Sequence, residues 1–147
     1  MTALDTRYTR LGAVVQHETL KEYGFCRATV IAREGNATKY TAGTVLGKVT
    51  GTGKYAVLEA SASDGSQNFA GIYVGSAGLT ADDFQTIAAT TDTSVVVLVR
   101  GPAIVGEANL KFGVSVDTQG ERDAIYAQMD AVGIRVVDQP DHLTTNN

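Results

Sequence analysis

The stretch GTVLGKVTGTGKYAVLEASASDGSQNFAGIYVG, residues 43–75, decides the fold of this chain. Eight of the sixteen glycines lie between Gly43 and Gly78, and they separate short β-prone pieces, GTVLGKV, KYAVLEA and NFAGIYVG. Glycine adopts positive φ at little steric cost, so this density predicts tight turns and bulges between short, sharply bent strands. A long helix is excluded here, and the stretch predicts a mainly β domain.

Two further strands are expected on either side of this stretch. FCRATVIA, residues 25–32, is rich in β-branched and aromatic types and runs into a turn signal, EGN. TSVVVLV, residues 93–99, has the length and β-branching of a buried strand. Pro102 lacks a backbone N–H and therefore predicts that the next segment is an edge strand or a turn.

Residues 109–116, NLKFGVSV, alternate between apolar and other residues. This period of two predicts another strand, with Leu110, Phe112, Val114 and Val116 on one face.

One α-helix is predicted near the C-terminal end, over about residues 119–132. Thr118 and Glu121 match the T-x-x-E capping box that begins many helices. Apolar residues follow at helical spacing, namely Ile125, Met129 and Val132. Gly133 ends the helix, and residues 134–137 predict a last strand that lets the helix fold back over the sheet. The chain is thus expected to be mainly β, of the α+β type.

The first 24 residues show no sustained period and contain Gly12 and Gly24. We interpret them as an extended N-terminal arm, a kind of segment that usually needs a partner to order it. The expected organisation is an arm over residues 1–24, a β-rich domain over 25–138 and a polar tail over 139–147.

Composition limits the class of protein. A chain of 147 residues with 44% hydrophobic and 19% charged residues is long enough and apolar enough to bury a core without disulfide bonds or metal ions. The single cysteine, Cys26, excludes an intramolecular disulfide and a multi-cysteine metal site within one chain. The longest strongly apolar run, residues 95–99, is far shorter than a membrane span. We therefore expect neither membrane insertion nor export.

Charge is distributed unevenly along the chain. Residues 1–50 carry seven Lys and Arg against four Asp and Glu, a net charge of +3, whereas residues 51–147 carry five against twelve, a net charge of −7. A basic arm that reaches an acidic partner, head-to-tail contacts between copies and an ordinary solvated surface all fit this asymmetry. The basic residues form no cluster with interleaved aromatic residues, so no direct nucleic-acid contact is expected.

The search for catalytic chemistry is largely negative. GKVTGTGK, residues 47–54, departs from a phosphate-binding loop because Lys48 stands at the first glycine position and Tyr55 replaces the Ser or Thr. Cys26 has no obvious histidine partner, so a buried structural thiol is expected there. We expect no catalytic residues, no metal site and no cofactor.

The order of the segments resembles the bacteriophage head decoration proteins of the lambda type. The resemblance rests on FCRATVIAREG (25–35), TAGTVLGKV (41–49), GKYAVLEASASDGSQNFAGIYVG (53–75), VVVLVRGPAIV (95–105) and ERDAIYAQMDAVGIRVV (121–137). Each motif alone is weak, and their order and spacing carry the match. Phe112 stands where we associate a tryptophan with the family, and the tail after Val137 looks like an extension.

The resemblance implies a compact bent-ribbon domain, β-clip-like or a small barrel, with one C-terminal helix and the extended N-terminal arm. It implies a homotrimer on the outer surface of the virion capsid, at local threefold positions of the expanded head, assembled in the host cytoplasm. There it would reinforce the shell against the pressure of packaged DNA. The implied partners are the major capsid protein and other copies of this chain, without a membrane. Residues 2–24 would bind the capsid through apolar anchors, namely Leu4, Tyr8, Leu11, Val14, Val15, Leu20 and Tyr23. Packing of some of these residues on their own domain remains an open alternative.

Two other functions fit the residues. A small trimeric β-rich enzyme would need polar residues that converge from two chains, such as Asp64, Asp82 and Arg100. A phage tail tube or fibre component would form open stacks instead of closed trimers.

Overall fold

A computed structural model describes residues 14–19, 25–76 and 84–137, and they form a mainly β domain. The strands are β1 (Val15–Glu18), β2 (Arg27–Ala32), β3 (Thr38–Thr41), β4 (Val45–Lys48), β5 (Tyr55–Val57), β6 (Phe69–Ser76), β7 (Phe84–Ile87), β8 (Thr93–Leu98), β9 (Ala103–Gly106) and β10 (Ile134–Val137). One turn of 3₁₀ helix covers Glu107–Asn109, and helix α1 spans Gln119–Ala131.

Five strands close into a small barrel in the order β2-β5-β4-β6-β8. The stretch 43–75 supplies three of them, β4, β5 and most of β6, as its glycine punctuation predicted. Register shifts at Leu46/Gly47 and at Tyr73/Gly75 bend the ribbon, which is what bulges next to glycine do. The expectation of a mainly β small-barrel domain with one C-terminal helix is confirmed.

Three strands of the barrel wall, β4, β6 and β8, pack apolar side chains on both of their faces. Successive side chains of β4, β6 and β8 alternate between two apolar clusters. One cluster takes Leu46, Tyr73, Val95 and Val97, and the other takes Val45, Ile72, Val74 and Leu98. A strand buried on both faces has a continuous apolar sequence, which explains the run in residues 93–99. The antiparallel pair β3-β7 contributes Tyr40 and Ile87 to the first cluster.

A three-stranded sheet, β1-β9-β10, contributes to the second cluster. Strand β9 is central, antiparallel to β1 and parallel to β10. The prediction that Pro102 limits the following segment to an edge or a turn is wrong, because Pro102 lies just before β9. Its missing N–H therefore interrupts no ladder, and its carbonyl accepts a hydrogen bond from Thr19 N at 3.0 Å.

The strand predicted over residues 109–116 is also wrong. This segment follows the 3₁₀ turn, makes one isolated parallel bridge between Lys111 and Thr44, and turns again where Val116 N donates to Gly113 O at 3.0 Å. Leu110 and Val116 are buried, but Val114 points into solvent. Gly113 makes the turn possible, and an isolated glycine inside a strand pattern was the available signal for it.

Helix α1 confirms the predicted cap. The hydroxyl of Thr118 accepts a hydrogen bond from Glu121 N at 3.2 Å, and the Glu121 carboxylate accepts one from Thr118 N at 3.2 Å. Ile125 and Met129 face the core. Gly133 ends the helix with φ +89°, a conformation that favours glycine, and the chain then enters β10.

The barrel closes between β2 and β5 through a narrow seam. These strands share one parallel residue pair, Ala32 with Tyr55. The half-buried Glu34 extends the seam, since its Oε2 accepts hydrogen bonds from Val57 N at 2.8 Å and from the hydroxyl of Tyr40. Burial raises the pKa of Glu34, and these two donors oppose that rise. The Glu34 carboxylate thus takes the place of backbone hydrogen bonds at the junction between β2 and β5.

We predict that Glu34→Ala lowers the free energy of unfolding by roughly 1–3 kcal/mol for each donor it leaves unpaired, whereas Glu34→Gln, which keeps an acceptor oxygen, costs less. The raised pKa means that the folded protein disfavours the ionised carboxyl more than the unfolded chain does. Wild-type stability should therefore fall as pH rises from the ordinary carboxyl range through the raised pKa, and this component should be absent in Glu34→Gln. Urea unfolding at several pH values checks both statements, and identical pH profiles would refute the second.

Strand β1 is held to the barrel by a buried ion pair. Arg27 donates through Nε to Glu18 Oε2 at 2.8 Å and through an NH group to Glu18 Oε1 at 2.7 Å. The Glu18 side chain is 1% exposed. Beside it the buried thiol of Cys26 donates to Thr19 O and Pro102 O, and burial raises the pKa of that thiol, with the Glu18 charge adding to the rise. The expected structural role of Cys26 agrees with this packing.

We predict that Arg27→Met exposes Cys26. Leaving the Glu18 carboxylate buried without its partner would cost about 3–5 kcal/mol, so β1 should separate from β9 to hydrate it. Native-state alkylation of Cys26 by iodoacetamide should then be markedly faster than in the wild type.

The matched control is Arg33→Met, because the Arg33–Asp92 pair has the same chemistry but lies in solvent. A solvent-exposed ion pair contributes little to stability, so Cys26 of this variant should be alkylated as slowly as in the wild type. Equal protection of the thiol in all three proteins would contradict the proposed role of the Arg27–Glu18 pair.

Candidate interaction surface

The chain leaves the described domain toward residues 1–13 and 138–147 at the same end of one sheet. Val15 of β1 pairs with Val105 of β9, and Val137 of β10 pairs with Gly106. Neighbouring strands lie about 4.8 Å apart, so the two exits are separated by roughly 10 Å across β9. We call this end of the sheet the exit end.

The structure describes two of the seven predicted anchor residues. Val14 is fully buried in the core, and Val15 is half-buried against it, so both pack on their own domain. Residues 15–18 of the predicted arm form β1. The other five lie outside the described residues, namely Leu4, Tyr8, Leu11, Leu20 and Tyr23, and so does the predicted tail over 139–147.

Val14 ties the start of β1 to the segment that follows β9. Gly43 has φ +100°, and a Cβ at this position would lie 2.3 Å from Asn109 O and 3.2 Å from Val14 Cγ2. Lys111 N donates to Gly43 O at 2.9 Å, and Val45 N donates to Lys111 O at 2.8 Å. Residues 109–111 are therefore fixed next to the exit toward residues 1–13.

The turn over residues 113–116 is held by a side chain from the segment after β5. The Oε1 atom of Glu59 accepts hydrogen bonds from Ser115 N at 3.0 Å and from the Ser115 hydroxyl. The same hydroxyl accepts from Ser61 N at 3.2 Å, and Gly113 N donates to Leu58 O at 3.0 Å. We call residues 113–116 the Val114 turn, after the exposed residue at its tip. Sequence reasoning did not identify it, because the period of two placed Val114 on one strand face with Leu110, Phe112 and Val116.

A shallow cavity of about 520 Å³ lies between α1 and the β9-β10 side of the sheet. Its lining comprises Glu107, Gln119, Asp123, Tyr126, Asp130, Arg135 and Val136. Burial, together with the neighbouring Glu107 carboxylate, raises the pKa of Tyr126 to about 12. The hydroxyl of Tyr126 therefore stays protonated near neutral pH and is unsuited to act as a general base there.

The described residues of the enzyme alternative are engaged within their own chain. Asp64 accepts hydrogen bonds from the amide and the hydroxyl of Ser66 at 3.1 and 2.6 Å, and the Ser66 hydroxyl, then the amide, hold the pKa of Asp64 below its usual range. The guanidinium of Arg100 lies 5.5 Å from the ring centroid of Phe25 and donates to the Phe25 carbonyl. Asp82 lies outside the described residues.

Two further properties apply to the described part of the chain. Residues 14–19, 25–76 and 84–137 contain no group of three His, Cys, Asp or Glu side chains arranged to hold a metal ion. Within those same ranges no helix has the length and apolarity needed to cross a bilayer.

Comparison with known proteins identifies the family. No curated protein gives a significant match to the chain. The family model of the bacteriophage lambda head decoration protein D matches residues 6–134, which is most of the sequence and includes the whole barrel, β1, β9 and α1. The chain therefore belongs to the bacteriophage lambda head decoration protein D family.

Proposed function

We propose that this protein is a structural cement that binds the outer surface of the expanded phage head and stabilises it against the pressure of packaged DNA. The family match over residues 6–134 carries this proposal, since it supports a capsid decoration role and makes the chain a component of the virion. In the proposal the partner is the major capsid protein, the copies act as trimers at local threefold positions, and assembly takes place in the host cytoplasm.

The arm supplies the proposed capsid contact. Leu4, Tyr8 and Leu11 precede β1, and Leu20 and Tyr23 follow it, so the fixed strand divides the arm into two pieces. Val14 and Val15 hold the base of the first piece against the domain. A segment of this kind can add to a neighbouring sheet edge, with main-chain hydrogen bonds providing affinity and apolar side chains filling pockets.

Trimers explain how modest contacts would produce firm attachment. Linking three binding arms in one particle makes the second and third contacts intramolecular, which raises overall affinity without new interactions. The shell must be assembled for three arms to engage at once.

A structural role, and not an enzymatic one, is part of the proposal. Asp64 and Arg100, two members of the alternative active site, are satisfied by Ser66 and Phe25 of the same chain. The hydroxyl of Tyr126, which stays protonated near neutral pH, is likewise unsuited to act as a base there.

We predict that the purified protein binds expanded heads that lack it far more tightly than it binds unassembled capsid subunits, by at least a hundredfold. Co-sedimentation with heads and analytical ultracentrifugation with subunits measure the two affinities. Equal binding to heads and subunits would contradict the cement function, because avidity on a lattice would then contribute nothing.

A second prediction concerns the arm. The triple variant Leu4→Ser, Tyr8→Ser and Leu11→Ser should bind heads at least a hundredfold more weakly, since each buried apolar side chain contributes about 1.5–3 kcal/mol. The control Thr2→Ala, Thr6→Ala and Thr9→Ala changes the same number of arm positions and should bind as the wild type. If the apolar triple variant kept wild-type affinity, the arm would not be the contact.

A further inference from the structure

We propose that the Val114 turn is a preformed apolar contact point for the head shell, next to the exit end. This inference rests on the proposed function and adds a rigid element to a contact that otherwise depends on the arm.

The exposure of Val114 is the first observation. Among the described residues, Phe25, Ile31 and Val132 are exposed apolar side chains at 39% to 46%, values that are ordinary at a protein surface. Val114 is 91% exposed, so almost none of its surface contacts its own domain. Its neighbours in the same segment, Leu110 and Val116, are buried.

The second observation is that the turn is built to hold Val114 in this position. The Glu59 carboxylate binds the amide and the hydroxyl of Ser115, immediately after Val114. On the other side, a Cβ at Gly113 would lie 2.1 Å from the Glu59 carboxyl carbon, so any larger residue there would displace this carboxylate. These contacts fix the backbone on both sides of an apolar side chain that gains nothing from them in the isolated domain.

Preorganisation explains the arrangement. A contact residue held in its bound conformation avoids the entropy cost of ordering a loop on binding. The rigid turn and the exposed valine therefore make sense together if another protein surface covers Val114.

The position of the turn indicates which surface this is. Residues 109–111 lie against Gly43 and, through it, Val14, where the chain leaves toward residues 1–13. Helix α1 begins with Gln119, three residues after the turn. Gln119 lines the same cavity as Glu107, the residue that directly follows β9. The segments on the two sides of the turn, residues 109–111 and Gln119, therefore lie near the exit end, and we assign the turn to the shell that the arm is proposed to bind. The shell would offer an apolar recess large enough for one valine.

The test compares Val114→Asn with Val132→Asn. Both replace one exposed valine by an uncharged polar residue, but Val132 lies at the C-terminal end of α1, next to Gly101. Val114→Asn should weaken binding to heads about tenfold, which corresponds to one buried valine, with unchanged oligomeric state and unchanged Cys26 protection. Val132→Asn should bind within twofold of the wild type.

A second variant separates rigidity from apolar contact. Ser115→Ala keeps Val114 and removes the hydroxyl that bonds Glu59 and Ser61, so we expect a smaller loss of affinity, about threefold. Wild-type binding by Val114→Asn would overturn the inference and leave the proposed function intact. A changed oligomeric state in Val114→Asn would also overturn it, because the partner would then be a second copy. Failure of the wild type to bind heads would refute the proposed function itself.

Discussion

Strand β9 is the constraint on which the arrangement of the exit end depends. Its four residues pair with β1 on one edge and with β10 on the other, and the two neighbours run in opposite directions. As a consequence, the start of β1 and the end of β10 lie side by side, although they are more than 120 residues apart in sequence. The chain therefore continues toward residues 1–13 and toward residues 138–147 from one end of this sheet.

The barrel provides a fixed base for that end. Strands β4, β6 and β8 of its wall pack into an apolar cluster on each face, so they are held from two sides. Polar side chains hold the places where strand pairing is sparse. Glu34 bonds across the β2-β5 seam, and Arg27 pairs with Glu18 where β1 attaches to the barrel. Breaking the two ion pairs of the β2 region should cost different amounts of stability, because the Glu18 carboxylate is buried whereas the Arg33–Asp92 pair is solvated. The buried pair ties the base of the arm to the barrel.

Local signals predicted the parts of the fold that local chemistry determines. The Thr118–Glu121 capping box located helix α1, and glycine punctuation indicated the short strands of residues 43–75. Strands β1, β3 and β7 were missed because they are short and are stabilised by pairing with distant segments. The segment of β9 was expected as an edge strand or a turn, but it is the central strand of its sheet. Val114 was misplaced for a related reason: its orientation depends on Glu59, which is 55 residues away and gives no signal in the alternation of residues 109–116. The anchors Leu4, Tyr8, Leu11, Leu20 and Tyr23 remain a prediction.

The central claim is that this domain sits on the outside of the head with its exit end facing the shell. Electron cryomicroscopy of expanded heads with and without the protein tests it most directly. The account predicts added density at the local threefold positions of the outer surface, fitted by three copies whose β1 starts and Val114 turns point to the shell. Added density inside the shell or along the tail, or copies whose exit end points into solvent, would contradict it.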